Sequence, residues 1–297
     1  MKAAFLPDRG VVKVSGVDAS AFINNLVTTD IDLLHPGAAR FGALLTPQGK
    51  IITDFLVTRP SDEPDSGLLF DCPGILAQSF ADRLRFYKLR AKVAIENISN
   101  DLAILAVWDG ELTPRPDAAF ADPRNPALGW RIVVPARTAQ TTADAIGAQM
   151  LDEAAYEAHR IACGVPRGGV DFIYGDAFPH ETNMDRLHGV DFDKGCYIGQ
   201  EVVSRMQHRG TARTRILRVA LEAGAPQPGT AVMAGDKSIG TMGSSATDAG
   251  SQGIGLALLR TDRASEALDA GLQFSSGGVP ILLVSPDDVR LPTKASA

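Results

Sequence analysis

Lys194-Gly195-Cys196-Tyr197-Ile198-Gly199-Gln200-Glu201 is the stretch of this 297-residue chain that decides how the rest is read. Two glycines bracket a cysteine, a lysine precedes it by two positions, and an amphipathic run follows at once. Val202 and Met206 stand four and eight residues after Ile198, the spacing of one buried helical face, so a helix is expected to begin near Ile198 and Gly199. Cys196 then lies just ahead of a helix N-terminus. Unpaired N–H groups and the positive end of the helix dipole favour a thiolate there, and the Lys194 ammonium is expected to act in the same sense. The competing reading of a free cysteine, a small buried hydrophobe, stays open at this point.

Upstream, residues 167–193 are rich in Gly, Asp and Pro and show no period; a segment of that length without regular structure is usually functional. Downstream, residues 216–221, 231–233, 238–242, 254–259 and 279–284 read as short strands between Gly, Pro and Asp turns. That spacing predicts a small barrel or sandwich, with a tail after Pro292 that frays. Before the motif, residues 10–15, 41–46, 51–58, 68–71, 93–95, 102–108 and 130–134 read as strands. Gly49 lies in hairpin punctuation, and Asp18 is placed to cap a helix. Leu76, Phe80, Leu84 and Tyr87 hold a helical period, and residues 152–163 form a second amphipathic helix. The order strand, strand, helix, strand, strand predicts one antiparallel sheet with a helix on one face, of α+β class, over residues 46–140.

Hydrophobic content of 45% with 22% charged residues is ordinary for a globular chain, and no apolar run approaches the ~20 residues that span a bilayer. Disordered and membrane-integral classes are therefore excluded. The first residues lack the patterns of signal and transit peptides, so the cytoplasm is the expected compartment. Cys72, Cys163 and Cys196 lie far apart with no zinc-site spacing, so no self-contained metal site and no disulfide framework are expected. Cys72 and Cys163 read as structural. The net charge of −6 argues against stable direct nucleic-acid binding, yet residues 194–218 carry six cations against Glu201 alone. Such a basic stretch suits an anionic ligand or an acidic partner, or else a solvated face.

The motif, preceded by Phe178-Pro179-His180-Glu181-Thr182-Asn183-Met184 and followed by Arg205 and Arg209-Gly210, closely resembles the YgfZ-type folate-binding proteins. Their mitochondrial counterparts are iron–sulfur cluster assembly factors, and both groups are distant relatives of the glycine-cleavage T-protein, an aminomethyltransferase. The resemblance runs from residues 10–30, through 44–55 and Arg160, to Gly255-Leu256-Ala257-Leu258. It implies a cloverleaf: an N-terminal part interleaved with a ferredoxin-like middle part (46–140) within residues 1–212, then a C-terminal β-barrel over 213–292. It also implies a central cavity for tetrahydrofolate.

On this resemblance Glu181 is the expected pterin anchor, because a carboxylate accepts two parallel hydrogen bonds from an aminopyrimidine edge; a helix-capping role is the alternative. Asn183, Tyr197 and Gln200 would orient or stack the ligand, and Arg205 and Arg209 suit its glutamate tail or an acidic partner. Asp54 lines the pocket or merely ends a strand. Cys196 and Lys194 are the residues expected to carry chemistry. The T-protein generally has an aromatic or acidic residue where this chain has Cys196, so the cysteine marks the cluster-assembly branch. The T-protein also carries adjacent aspartates where this chain reads Thr53-Asp54, and a hydroxyl is a poor proton acceptor near neutral pH.

The expected function is a tetrahydrofolate-binding accessory protein for assembly or repair of [4Fe–4S] clusters. It would serve client enzymes, tRNA-modifying ones included, as a monomer meeting assembly and client proteins. Clusters usually take four ligands, so Cys196 would act only transiently as a ligand. Two alternatives stay open: a folate-dependent one-carbon transferase and a non-catalytic folate-sensing scaffold.

Overall fold

The structure, a computed structural model, describes residues 1–61, 66–210, 212–222, 224–247 and 250–289. The tail after Pro292 lies outside the described residues. The chain divides into two compact units. The first comprises Met1–Pro47, Ile52–Tyr156 and Arg186–Ile198; the second comprises Gln48–Ile51, Glu157–Asp185 and Gly199–Ala297.

In chain order the earlier elements are β1 (Lys2–Phe5), β2 (Arg9–Ser15), α1 (Ala19–Asn24), β3 (Ala39–Leu45), β4 (Ile51–Thr58), β5 (Leu68–Pro73), α2 (Gly74–Tyr87), β6 (Ala94–Asn97), β7 (Leu102–Trp108), β8 (Ala119–Ala121), β9 (Trp130–Pro135), α3 (Ala139–Ala145) and β10 (Gln149–Leu151). They build two five-stranded sheets, ordered β10-β1-β7-β9-β8 and β3-β4-β5-β2-β6. The single sheet predicted over residues 46–140 is thus divided. Strand β2 enters between β5 and β6, while β1 pairs with β7 in the other sheet. Alternation along a strand reports which face is buried but not which neighbour it takes.

Helix α2 buries Ala77, Phe80, Ala81 and Leu84 on the second sheet, where Phe80 meets Phe55 and Phe70 with ring centroids 5.6 Å away. Full burial of each such ring contributes about 1.5–3 kcal/mol, so this cluster anchors the helix to the sheet. The two sheets share a buried ionic chain. Asp71 of β5 accepts from Arg9 of β2 at 2.5 Å and from Arg131 of β9 at 2.7 Å, and Arg131 also reaches Asp122 and the Tyr156 hydroxyl. The Asp18 side chain accepts from the Lys92 N–H at 2.7 Å instead of capping α1.

Helix α4 (Glu153–Ala162) leads into residues 163–199, which hold no helix or strand. Helix α5 (Gln200–Arg209) begins just after the predicted start near Ile198 and Gly199, because Gly199 adopts φ 82 and its left-handed backbone cannot continue a helix. Then β11 (Thr214–Leu221), β12 (Ala231–Ala234), β13 (Lys237–Thr247), β14 (Gly253–Arg260), α6 (Thr261–Asp269), β15 (Phe274–Ser276) and β16 (Val279–Leu283) follow. The strands close as a barrel ordered β11-β14-β13-β12-β15-β16, with β16 returning to pair with β11. Helix α6, which the sequence reading left out, buries Ala264 and Ala267. Residues so small leave little apolar signal.

Candidate functional site

In the first unit the motif loop is tied to the turn after α1. The Lys194 ammonium donates to the carbonyls of Asn24 at 2.6 Å, Val27 at 2.8 Å and Thr29 at 3.0 Å. An ammonium has three donors, and these acceptors use them all. Lys194 therefore fastens the loop. Burial pulls its pKa down to about 8, against the opposing influence of Asp30, Asp191 and Asp32.

Asp191 completes the fastening: it receives a fork from Arg40 at 2.9 and 2.7 Å and the Asp30 N–H at 2.5 Å. Thr28 donates to Gly189 O at 2.6 Å. From this base Cys196 points outward as an exposed free thiol, whereas Cys72 is buried and Cys163 is partly covered. Next to it, a Cβ added to Gly195 would meet nothing within 4 Å. Tyr197 turns inward, 7% exposed, with the Lys194 Nζ 5.4 Å from its ring centroid. Its hydroxyl finds no hydrogen-bond partner among the described residues, and burial followed by Asp191 raises its pKa.

On β4, Thr53 shares a face with Phe55 and Val57 of the apolar core. It is 1% exposed, and its hydroxyl has no partner among the described residues. Asp54, on the other face, is buried within the electrostatic reach of Arg9.

The second unit holds the other expected residues. Glu181 Oε2 accepts the Phe178 N–H at 2.8 Å, which closes a tight turn, and burial raises the carboxyl while that bond and Lys50 pull it down. Lys50 lies 3.7 Å from the Phe178 ring centroid and 3.5 Å from Asp176. Asn183 is in the left-handed region at φ 61, and its amide donates to Ile216 O at 2.6 Å. Arg215 grips Asp185 at 2.9 and 2.8 Å and donates to His180 O, so the turn at 180–185 is bolted to β11. Gln200 is the first residue of α5, Arg205 pairs with Glu201 on its surface, and Arg209 ends it.

The basic stretch at 194–218 is not one patch. Lys194 and Arg215 are buried on fixed acceptors, and Arg205 is paired on the surface. Sequence reasoning missed Arg40, Asp191, Thr28 and Asp185, whose bonds Arg40–Asp191, Thr28–Gly189 and Asp185–Arg215 join residues 30 to 161 positions apart. Among the described residues no group of three or more His, Cys, Asp or Glu is placed to hold a metal ion.

Comparison with known proteins adds the family. Residues 8–110 match the GCVT N-terminal domain, and residues 213–291 match the CAF17 C-terminal β-barrel domain. The human iron–sulfur cluster assembly factor IBA57 is 30% identical, over 95% of this chain and 83% of its own length. The mouse protein is 32% identical, over 86% of this chain and 77% of its own. The IBA57 homologue of Mycosarcoma maydis is 35% identical over 76% of this chain but only 59% of its own length, so the chain spans little more than half of the first fungal relatives. A crystal structure of the glycine cleavage aminomethyltransferase T from Bartonella henselae superposes with a TM-score of 0.75 over 98% of this chain and 86% of that one. At 15% identity that shows the fold alone. The cytoplasmic compartment read from the sequence is corrected by these relatives, which are mitochondrial proteins and point there instead. No helix among the described residues is long and apolar enough to cross a membrane.

Proposed function

The chain belongs to the family of IBA57 iron–sulfur cluster assembly factors, and from that premise we propose that it supports assembly or repair of [4Fe–4S] clusters through the Cys196 thiol. The observation that carries this proposal is an exposed cysteine on a loop whose lysine is fully committed to holding it. The cluster or a sulfur species is cargo, and a single thiolate supplies one of the usual four ligands, so Cys196 would share its cargo with a partner. In this scheme the chain is a monomer of the YgfZ kind, meeting assembly and client proteins, tRNA-modifying enzymes among them, in passing.

Proteins of this fold generally bind folate, and the residues present fit tetrahydrofolate in kind. Glu181 has one oxygen on a backbone N–H and the other with no partner among the described residues, and a carboxylate retains acceptor sites for an aminopyrimidine edge. Asn183 is spent on Ile216 and Arg215, so it would shape the turn rather than touch the pterin. Bound tetrahydrofolate would bring one-carbon or redox chemistry to the site. Aminomethyl transfer by the T-protein route is disfavoured, since Thr53 offers only a hydroxyl sunk in the core.

Two measurements test this reading. Expression in cells that lack their own family member should restore [4Fe–4S]-enzyme activity, and no restoration by a folded, expressed chain would refute it. Calorimetric titration with tetrahydrofolate should show binding that Glu181→Gln weakens by about tenfold, the loss of one charge-assisted pair.

A further inference from the structure

At the end of α2, residues 83–92 carry Arg83, Arg85, Lys88, Arg90 and Lys92 and no acid. Between these cations stand two large apolar side chains in water, Phe86 at 75% and Leu89 at 91% exposed. Ile75, 91% exposed, opens the same helical face three turns earlier. Neither feature follows from the fold, since the opposite face of α2 already supplies its buried residues. Leu89 is moreover held at φ 44, a conformation that costs a non-glycine residue free energy.

The turn that presents these side chains is fixed. Arg85 Nη2 donates to Ile95 O at 2.8 Å, the Ala91 N–H to Lys88 O at 2.9 Å, and the Lys92 N–H to Asp18 at 2.7 Å. The Phe86 ring meets Tyr87 edge-on at 5.6 Å. Rigid aromatic and arginine anchors already in place keep the ordering cost of association low and are the residue types that dominate protein interfaces.

We propose that residues 83–92 are the docking surface for a protein partner that offers an apolar cleft ringed by Asp and Glu, with Phe86 and Leu89 entering the cleft and the Arg side chains on its rim. The inference rests on the assembly-factor reading, which requires such partners. Charge complementarity sets the chemistry: this turn is strongly cationic on a chain of net −6, so it selects an acidic face. A bilayer is the poorer fit, because Asp82 interrupts the exposed face and pairs with Arg85, leaving no continuous apolar stripe to bury.

The test places the photoreactive residue benzoylphenylalanine at position 86 of the full chain, in cells lacking their own family member. The expected result is a cross-link to an identified protein at a peptide rich in Asp and Glu. The yield should fall roughly tenfold with Arg83→Glu and Arg90→Glu together, as for loss of rim complementarity around a hot spot. The separate pair Phe86→Ser and Leu89→Ser should lower [4Fe–4S]-enzyme activity severalfold while thermal unfolding and Cys196 labelling stay as in the wild type. Cross-linking to lipid or nucleic acid, no cross-link, or sedimentation with vesicles of about 30% phosphatidylserine that the Ser pair abolishes would overturn the proposal. Full activity of the Ser pair beside a wild type that restores the enzyme would sink the docking surface alone; a wild type that restores nothing would sink the assembly reading itself.

Discussion

Lys194 Nζ lies 2.8 Å from the carbonyl oxygen of Val27, and with its bonds to Asn24 and Thr29 this joins the cysteine-bearing loop to the turn after α1. The loop is thereby part of the first unit's framework, and Cys196 is held out from a fixed base.

Lys194→Met should therefore act on stability first. It leaves three carbonyls without their donor, and an unsatisfied buried acceptor costs about 1–3 kcal/mol. Chemical denaturation should show a loss in that range or somewhat above. Hydrogen exchange should show faster opening of residues 189–198, whereas a Lys194→Met chain as stable as the wild type would mean that the clamp contributes nothing.

Thiol labelling should separate the cysteines. Cys72 is buried, and burial, only partly opposed by Arg9, pushes its thiol up to about 12. At pH 8 a maleimide should label Cys196 first and Cys72 only on unfolding, as read by peptide mass spectrometry.

The buried ionic chain predicts both a mutational and a pH effect. Arg131→Met strips Asp71 and Asp122 of a buried partner, and a loss of about 3–5 kcal/mol is expected. Burial alone would raise the Asp122 carboxyl, but Arg124 and Arg131 outweigh it and hold it at about 2. The folded state thus binds this proton later than the unfolded chain. The stabilisation is present above about pH 4 and is lost as pH falls toward about 2, amounting to about 2 kcal/mol. Asp122→Asn should remove that part of the acid limb in denaturant titrations at stepped pH.

Gly49 has φ +80, and a Cβ there would come 3.0 Å from the Val202 Cβ on α5. Gly49→Ala should lower stability by about 1–2 kcal/mol through the left-handed backbone alone, and Gly49→Asn by less, a ranking that thermal unfolding can check.

How far the sequence carries can be traced residue by residue. Elements whose apolar residues keep one period, such as α2 and β11, are legible because burial on one face writes that period. Sheet membership is not, since β2 slots between β5 and β6 through pairings 54 or more residues apart in the chain. The motif is legible as a cluster of glycines around Cys196; the exposure of its thiol is not, because a free cysteine in that spacing also reads as a small buried hydrophobe. The commitment of Lys194 is not, because its three acceptors are main-chain carbonyls about 165 to 170 residues away, and a carbonyl leaves no mark on residue type. Arg215 read as part of a basic surface for the same reason: only the fold brings Asp185 to it.

The most direct test of the central claim is [4Fe–4S]-enzyme activity in cells lacking their own family member and expressing the Cys196→Ala chain. Cys196 is exposed, so its truncation should leave thermal unfolding and expression unchanged. The account predicts activity no higher than in cells without the chain, beside full restoration by the wild type; full restoration by Cys196→Ala would contradict it.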